Sequence, residues 1–217
     1  MKSKLVIFDM DGVLIDSEPW WNVAIRNGFR KVGLEMSDEM CEETMGARLN
    51  EVVEYRVKKH NIDLKLSADI ENWIEDEIIH FVKTEAAILK GVKESISLLK
   101  KEGFSLAIAS SSPHRLINTV IEKLNVADDF AAIFSAQDDP LGKPHPSVYI
   151  RCAGTLGFSS ENCFVIEDSV NGMVAAKAAK MKVIVVPDPK MYANPAWGLA
   201  EFKLKSLLEL DPKKHLL

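Results

Sequence analysis

Two aspartates, Asp9 and Asp11, close a short apolar run in KLVIFDMDGVLIDSE, and Gly12 follows them. Three more polar groups lie far along the chain. They are the serine run Ser110, Ser111 and Ser112, the lysine Lys143 in GKPHP, and the acidic pair Glu167 and Asp168 in CFVIEDS. Carboxylates crowded together repel one another unless a cation relieves them. Hard oxygen donors of this kind suit Mg²⁺, which takes few protein ligands and completes its octahedron with water and phosphate oxygens. With the metal bound, one carboxylate is left to act as a nucleophile.

The elements that carry these residues have to bring them together. KLVIF, FSLAIASSS, AAIFSAQ, CFVIED and KVIVVP read as strands. The stretches between the later ones, from GVKESISLLKKEG to SVNGMVAAKAAKM, read as helices. Strand–helix alternation of this sort predicts an α/β fold with a Rossmann-like parallel sheet and helices on both faces. In open sheets of that class the ligand site lies beyond the carboxyl ends of the strands. Every polar group named above falls at or just after such an end. The first strand is separated from the rest by a stretch without convincing strands. There, Trp21, Ile25, Phe29 and Val32 recur at helical spacing. Ser17 is placed to cap that helix, Pro19 sits in its first turn, and Gly33 closes it. LNEVVEYRVKKHN and SADIENWIEDEIIHFVKTEAAI read as further helices, the second with Ser67 as a plausible cap. The expected organisation is a core of residues 1–16 and 89–217, interrupted by an inserted all-helical second domain over residues 17–88.

Composition sets the outer bounds. The chain has 217 residues, 47% hydrophobic and 27% charged, enough for one good core and a small second domain. A net charge of -5 argues against nucleic acid as a partner. No apolar stretch approaches the roughly 20 residues that span a bilayer, and the apolar run before Asp9 is too short for a signal peptide. Cys41, Cys152 and Cys163 have no metal-like spacing and read as small buried hydrophobes. An odd, sparse count fits a reducing compartment. The expectation is a soluble cytoplasmic protein that engages neither nucleic acid nor membrane.

Each candidate also has a plainer reading. DMDG could open a calcium loop, although Gly12 comes too early for an EF-hand and a strand precedes it. Ser110 to Ser112 could cap the helix that follows, a reading that suits Ser112 better than catalysis does. Lys143 alone could be a solvated loop charge, and Glu167-Asp168 a helix start. His114 and His145 lie beside the expected site as substrate-lining or structural residues. Trp21 belongs to the apolar stripe of its helix and reads as core, while Trp20 is open.

Taken together, DMDGV, ASSS, GKPHP and EDS, in that order over nearly the whole chain, resemble the haloacid dehalogenase superfamily of phosphatases. The pattern is most similar to the beta-phosphoglucomutase and hexose- or hexitol-phosphate phosphatase group, whose small helical cap occupies the same place. The resemblance implies roles by position. Asp9 would attack phosphorus to form an aspartyl-phosphate. Asp11 would act as acid and base, with its backbone carbonyl on the metal. Asp168 would complete the protein's Mg²⁺ ligands, with Glu167 as support or ligand. Ser110 and the Ser111 backbone would hold the phosphoryl group. Lys143 would neutralise it and keep Asp9 in line. The cap element MGARLNE implies that Arg48 reaches the substrate, a small phosphorylated metabolite; its plainer reading is a solvated helix-end arginine. The resemblance also implies a monomer, with hinges near Asp16 and near Leu89 to Gly91.

Departures from the pattern separate close relatives. Beta-phosphoglucomutases carry a histidine early in the first cap helix and a cap lysine for a second phosphate. Here SEPWWNVAIRNG has no histidine and IENWIEDEII is acidic. The expectation is therefore a phosphatase acting on sugar or sugar-alcohol phosphates, with the isomerase as the alternative. A catalytically silent binding protein would have lost the nucleophile or the metal acids, and this chain keeps them all. Dehalogenase chemistry is disfavoured by the presence of Asp11.

Overall fold

The structure is a computed structural model that describes residues 4–44 and 46–216. Its first strand, β1, runs over Leu5–Phe8. The insert follows, with α1 (Glu18–Arg30), α2 (Asp38–Glu42), α3 (Leu49–Lys59) and α4 (Ser67–Thr84). The chain then alternates through α5 (Val92–Lys101), β2 (Ser105–Ser110), α6 (His114–Leu124), β3 (Ala132–Ser135), α7 (Ser147–Thr155), β4 (Cys163–Glu167), α8 (Val170–Ala178) and β5 (Lys182–Val185). A two-residue strand β6 (Phe202–Lys203) and a short helix α9 (Pro212–His215) complete it. Neither β6 nor α2 was legible in the sequence. Each is too short to show a period.

The six strands form one parallel sheet in the order β3-β2-β1-β4-β5-β6. Strand β1 is central, and the chain first winds outward through β2 and β3 and then returns to its other side with β4. The order therefore reverses at β1, where an open α/β sheet forms its ligand crevice.

Strand residues alternate between two cores, as the pleat demands. Leu5, Ile7, Ala107, Ala109, Val165 and Val183 face α7 and α8. Val6, Phe8, Leu106, Ile108, Phe164 and Ile166 face the other way, into a core shared with α5, α6 and the inserted helices. Helix α4 puts Ile70, Ile74, Ile78 and Val82 into that core, one residue per turn. It also lies against α6, where Arg115 donates to Asp76 at 2.8 Å and Lys123 to the Val82 carbonyl at 2.6 Å.

The helical insert joins the sheet through two neighbouring chain segments. The Asp16 amide donates to the Ala87 carbonyl at 2.9 Å, and the Leu89 amide to the Leu14 carbonyl at 3.2 Å. Ile15 and Ile88 form an antiparallel bridge between the same segments. Both expected hinges thus touch each other.

Two expected caps work differently. Ser17 occupies the N-cap position of α1, but its side chain makes no capping bond and turns to Asp11 instead. Ser67 is the first residue of α4 and Leu66 its N-cap, because a short 3-10 turn over Leu64–Leu66 runs straight into the helix. Among the described residues, no helix is long and apolar enough to cross a membrane.

Candidate active site

The carboxyl ends of β1, β2 and β4 meet at one cavity. Its floor is built by Asp9, Asp11, Ser110, Ser111, Ser112, Lys143, Asp168 and Ser169. Its roof comes from the inserted helices, with Trp21, Asn22 and Ile25 of α1, Leu49 and Val52 of α3, and Cys41 and Thr44 between them.

Lys143 organises the floor. Its ammonium donates to Asp9 Oδ1 at 2.8 Å, to Glu167 Oε1 at 2.8 Å and to the Ala109 carbonyl at 3.1 Å. It is 5% exposed, so the reading of a solvated loop charge does not hold here. Burial works against its charge, but the two carboxylates outweigh that and hold it protonated above the usual lysine range. The Tyr149 hydroxyl donates to the same Glu167 oxygen at 2.6 Å, and burial pushes that phenol well up. The other Glu167 oxygen accepts from the Asp168 amide, the Ser169 amide and the Ser169 hydroxyl. Despite its burial, Glu167 is held below the usual range, with Lys143 the main cause.

Asp9 and Asp168 are perturbed in the opposite sense. Burial raises Asp9 from 3.8 to about 7, against the pull of Lys143 and with the push of Glu167 and Asp11. Burial and the neighbouring Glu167 and Asp9 raise Asp168 well above its ordinary value. Oxygens of Asp9, Glu167 and Asp168 lie within 4.8 Å of one another. Two carboxylates that resist ionisation, Asp9 and Asp168, beside the ionised Glu167 fit a hard divalent cation. Because both Glu167 oxygens are already taken by protein donors, Asp9 and Asp168 are the carboxylates that fit it best.

Two glycines make this crowding possible. Gly12 has φ +69, and a Cβ there would stand 1.9 Å from Asp168 Oδ2. Gly172, in the first turn of α8, passes so near Glu167 that a Cβ would lie 1.6 Å from Oε1. The glycine after DMD is thus required both by its backbone angle and by the acid opposite it.

Asp11 is held by a separate set of donors. The Ser17 hydroxyl donates to Oδ1 at 2.5 Å and the Trp21 indole N–H donates to the same oxygen at 3.0 Å. The Ser112 hydroxyl reaches Oδ2 at 2.6 Å, and that of Ser110 lies at 3.5 Å. These contacts correct two expectations. Ser112 makes no side-chain cap, since Pro113 takes the N-cap place of α6. Trp21 is not simply helix core, because its ring lines the cavity and its N–H enters the site. Ser17 and Trp21 stand four residues apart, one turn of helix. That spacing next to DMDG was the overlooked signal. Tyr149 gave no such signal, being 18 residues from Glu167 on another element.

Arg48 is placed differently from its expectation. It does not line the cavity. Its guanidinium donates to the carbonyls of Ala136 at 3.1 Å, Asp139 at 2.6 Å and Pro140 at 3.3 Å, and to Glu51 at 2.7 Å. At 7% exposure it is not a solvated helix-end arginine either. His114 bonds Asp138 and His145 bonds Ser147, both outside the cavity lining. Trp20 stacks on Phe81 of α4 at 4.8 Å. Ser111 lines the floor and donates to the Gly46 carbonyl at 3.1 Å. Cys41, Cys152 and Cys163 are all buried.

Comparison with known proteins agrees with this architecture. The family model of the haloacid dehalogenase-like hydrolases matches residues 6–186. Hexitol phosphatase B of Escherichia coli strain K12 is 38% identical over 211 residues, covering 97% of this chain and 95% of that protein. The beta-phosphoglucomutase of Bacillus subtilis is 28% identical over 193 residues, covering 84% and 83%. Among solved structures, CbbY of Rhodobacter sphaeroides in complex with phosphate shares the fold, with a TM-score of 0.86 at 24% identity over 96% of both chains.

Proposed function

The chain belongs to the haloacid dehalogenase-like hydrolases and is a phosphatase, and from that premise we propose that it hydrolyses phosphate monoesters of small sugars or sugar alcohols, hexitol phosphates foremost. The observation that carries this reading is Asp9, a buried carboxylate clamped by Lys143 at 2.8 Å on the floor of a cavity roofed by the inserted helices. The phosphoryl group lies against Ser110, the Ser111 backbone and Lys143. Asp9 attacks phosphorus in line with the leaving alcohol, so the Asp9 oxygen–phosphorus bond forms as the ester bond breaks. Asp11 delivers a proton to the departing oxygen. It then takes one from the water that cleaves the aspartyl-phosphate, and phosphate and free Asp9 result. Lys143 offsets the charge spread over the phosphoryl oxygens and keeps Asp9 aligned. Asp9, the Asp11 carbonyl and Asp168 would hold Mg²⁺, which would supply charge neutralisation to the phosphoryl group. Glu167 serves this set by fixing Lys143 through its hydrogen bonds. Residues 17–88 act as a cap that turns on the paired segments at Asp16 and Leu89–Gly91.

The isomerase alternative has less support. An isomerase of this type must grip a second phosphate. Among the described lining residues, Lys143 is the one cation, and it already serves Asp9 and Glu167. The test is phosphate release with Mg²⁺ across hexitol phosphates, 2-deoxyglucose 6-phosphate, glycerol phosphate and beta-glucose 1-phosphate. Metal-dependent release from one sugar or polyol class is expected, and Asp9→Asn abolishes it. Conversion of beta-glucose 1-phosphate to glucose 6-phosphate without release would replace the phosphatase reading with the isomerase.

A further inference from the structure

We propose that Trp21 is a positioning residue for Asp11. Its indole N–H reserves one carboxyl oxygen as acceptor and so fixes which oxygen carries the transferable proton. The inference rests on the phosphatase reading above and deepens it. Three observations carry it. The indole nitrogen is 3.0 Å from Asp11 Oδ1. The Trp21 ring lines the cavity that must receive the leaving alcohol. And Trp21 sits on α1, the first helix of the insert, whereas Asp11 sits on the loop after β1.

The chemistry follows from what an indole can do. A hydroxyl can donate or accept, so Ser17 at Oδ1 and Ser112 at Oδ2 tolerate either protonation state of Asp11. An indole N–H only donates. It is compatible with Oδ1 as an acceptor and incompatible with a proton pointing along that direction. The transferable proton is then the one on Oδ2, the oxygen that the indole leaves free. That oxygen lies on the side of Ser110 and Ser112, next to the expected phosphoryl position. In the first step the Oδ2–H bond breaks as its proton moves to the leaving oxygen, which keeps the electron pair of the broken P–O bond. In the second step Oδ2 takes a proton from water. Because the donor is on the insert, Asp11 is in register for proton transfer when α1 packs over it.

The test separates proton delivery from packing by changing the leaving group. An alkyl alcohol needs its proton as it departs, while p-nitrophenolate leaves without one. The rate of the first turnover, before the aspartyl-phosphate is hydrolysed, is measured on the sugar or polyol phosphate that is turned over best and on p-nitrophenyl phosphate. Trp21→Phe keeps a ring on the cavity wall and removes the N–H. It is expected to slow the alkyl ester about tenfold, a fraction of the full acid contribution of about 10²–10⁴, and to leave the nitrophenyl burst within about twofold. Benzothienylalanine at position 21 preserves the bicyclic shape without the N–H, so it should show the same selective loss even if Phe disturbs packing. Equal slowing of both esters by the isosteric replacement, or no slowing of either, overturns the proposal. Asp11→Asn serves as reference. If it shows the leaving-group dependence and the Trp21 variants do not, only this inference fails. If Asp11→Asn shows none, the role of Asp11 in the phosphatase reading fails as well.

Discussion

Lys143 lies between Asp9 and Glu167, and the pair of contacts explains why neither carboxylate is tolerable without it. Replacing it by Met removes the cation that Asp9 and Glu167 share and leaves two buried acids facing each other. Breaking a buried pair from one side costs about 3–5 kcal/mol. Lys143→Met is therefore expected to lose stability of that order in urea unfolding, together with its phosphatase activity. A variant as stable as the parent would show that the ammonium contributes nothing net. Legibility at this scale was uneven. Asp9, Asp11, Ser110, Lys143, Glu167 and Asp168 were found because each closes a strand or follows one in a recognisable motif. What each side chain touches was not legible. Tyr149 reaches Glu167 from α7, and Trp21 reaches Asp11 from α1. Contacts between distant elements depend on how helices pack over the sheet, and no local spacing reports that.

At the scale of elements, Arg48 adds a buried clasp to the contacts that tie the roof of the cavity to its floor. Arg48 opens α3 and holds the carbonyls of the loop after β3, the segment Ala136 to Pro140. The resemblance of MGARLNE to a cap element implied a substrate contact, but the guanidinium fork finds three carbonyls of the core instead. The buried Asp139 carbonyl would lose this donor, at a cost of about 1–3 kcal/mol, while the Ala136 carbonyl keeps the Asp139 amide. Arg48→Ala is expected to destabilise the protein by at least one such increment and to speed hydrogen exchange of the amides in residues 136–140. Arg48→Lys should recover only part of this, since a point ammonium cannot reproduce the planar fork. Unchanged exchange in both variants would mean that the clasp does not hold the loop. The strands and long helices were readable because hydrophobic runs and 3.6-residue stripes are local signals. Strand β6 was not, because two residues carry no alternation and it gains its place only by pairing with β5.

The whole molecule carries an electrostatic load that a bound divalent cation would lift. Asp9 is raised from 3.8 to about 7 and Asp168 is raised too, so the folded state binds protons that the unfolded chain has already released. Stability from these two groups is full below the unfolded values and is lost as pH rises toward the folded ones. Glu167 is shifted the other way, and its share is lost only as pH falls below the ordinary carboxylate range. In chelator, the melting temperature is therefore expected to fall between about pH 5 and pH 8. Added Mg²⁺ should restore it, with a larger gain at the higher pH, because metal binding displaces those protons. A melting temperature that rises through this window without metal would contradict the assignment of the acids. In the proposed cycle Asp9 carries the phosphoryl group. Acid quenching during turnover of a hexitol phosphate with Mg²⁺, followed by peptide mass spectrometry, tests it most directly. One phosphoryl group is expected on the peptide that contains Asp9, absent in Asp9→Asn. Rapid phosphate release with that peptide never labelled, and undiminished in Asp9→Asn, would contradict it.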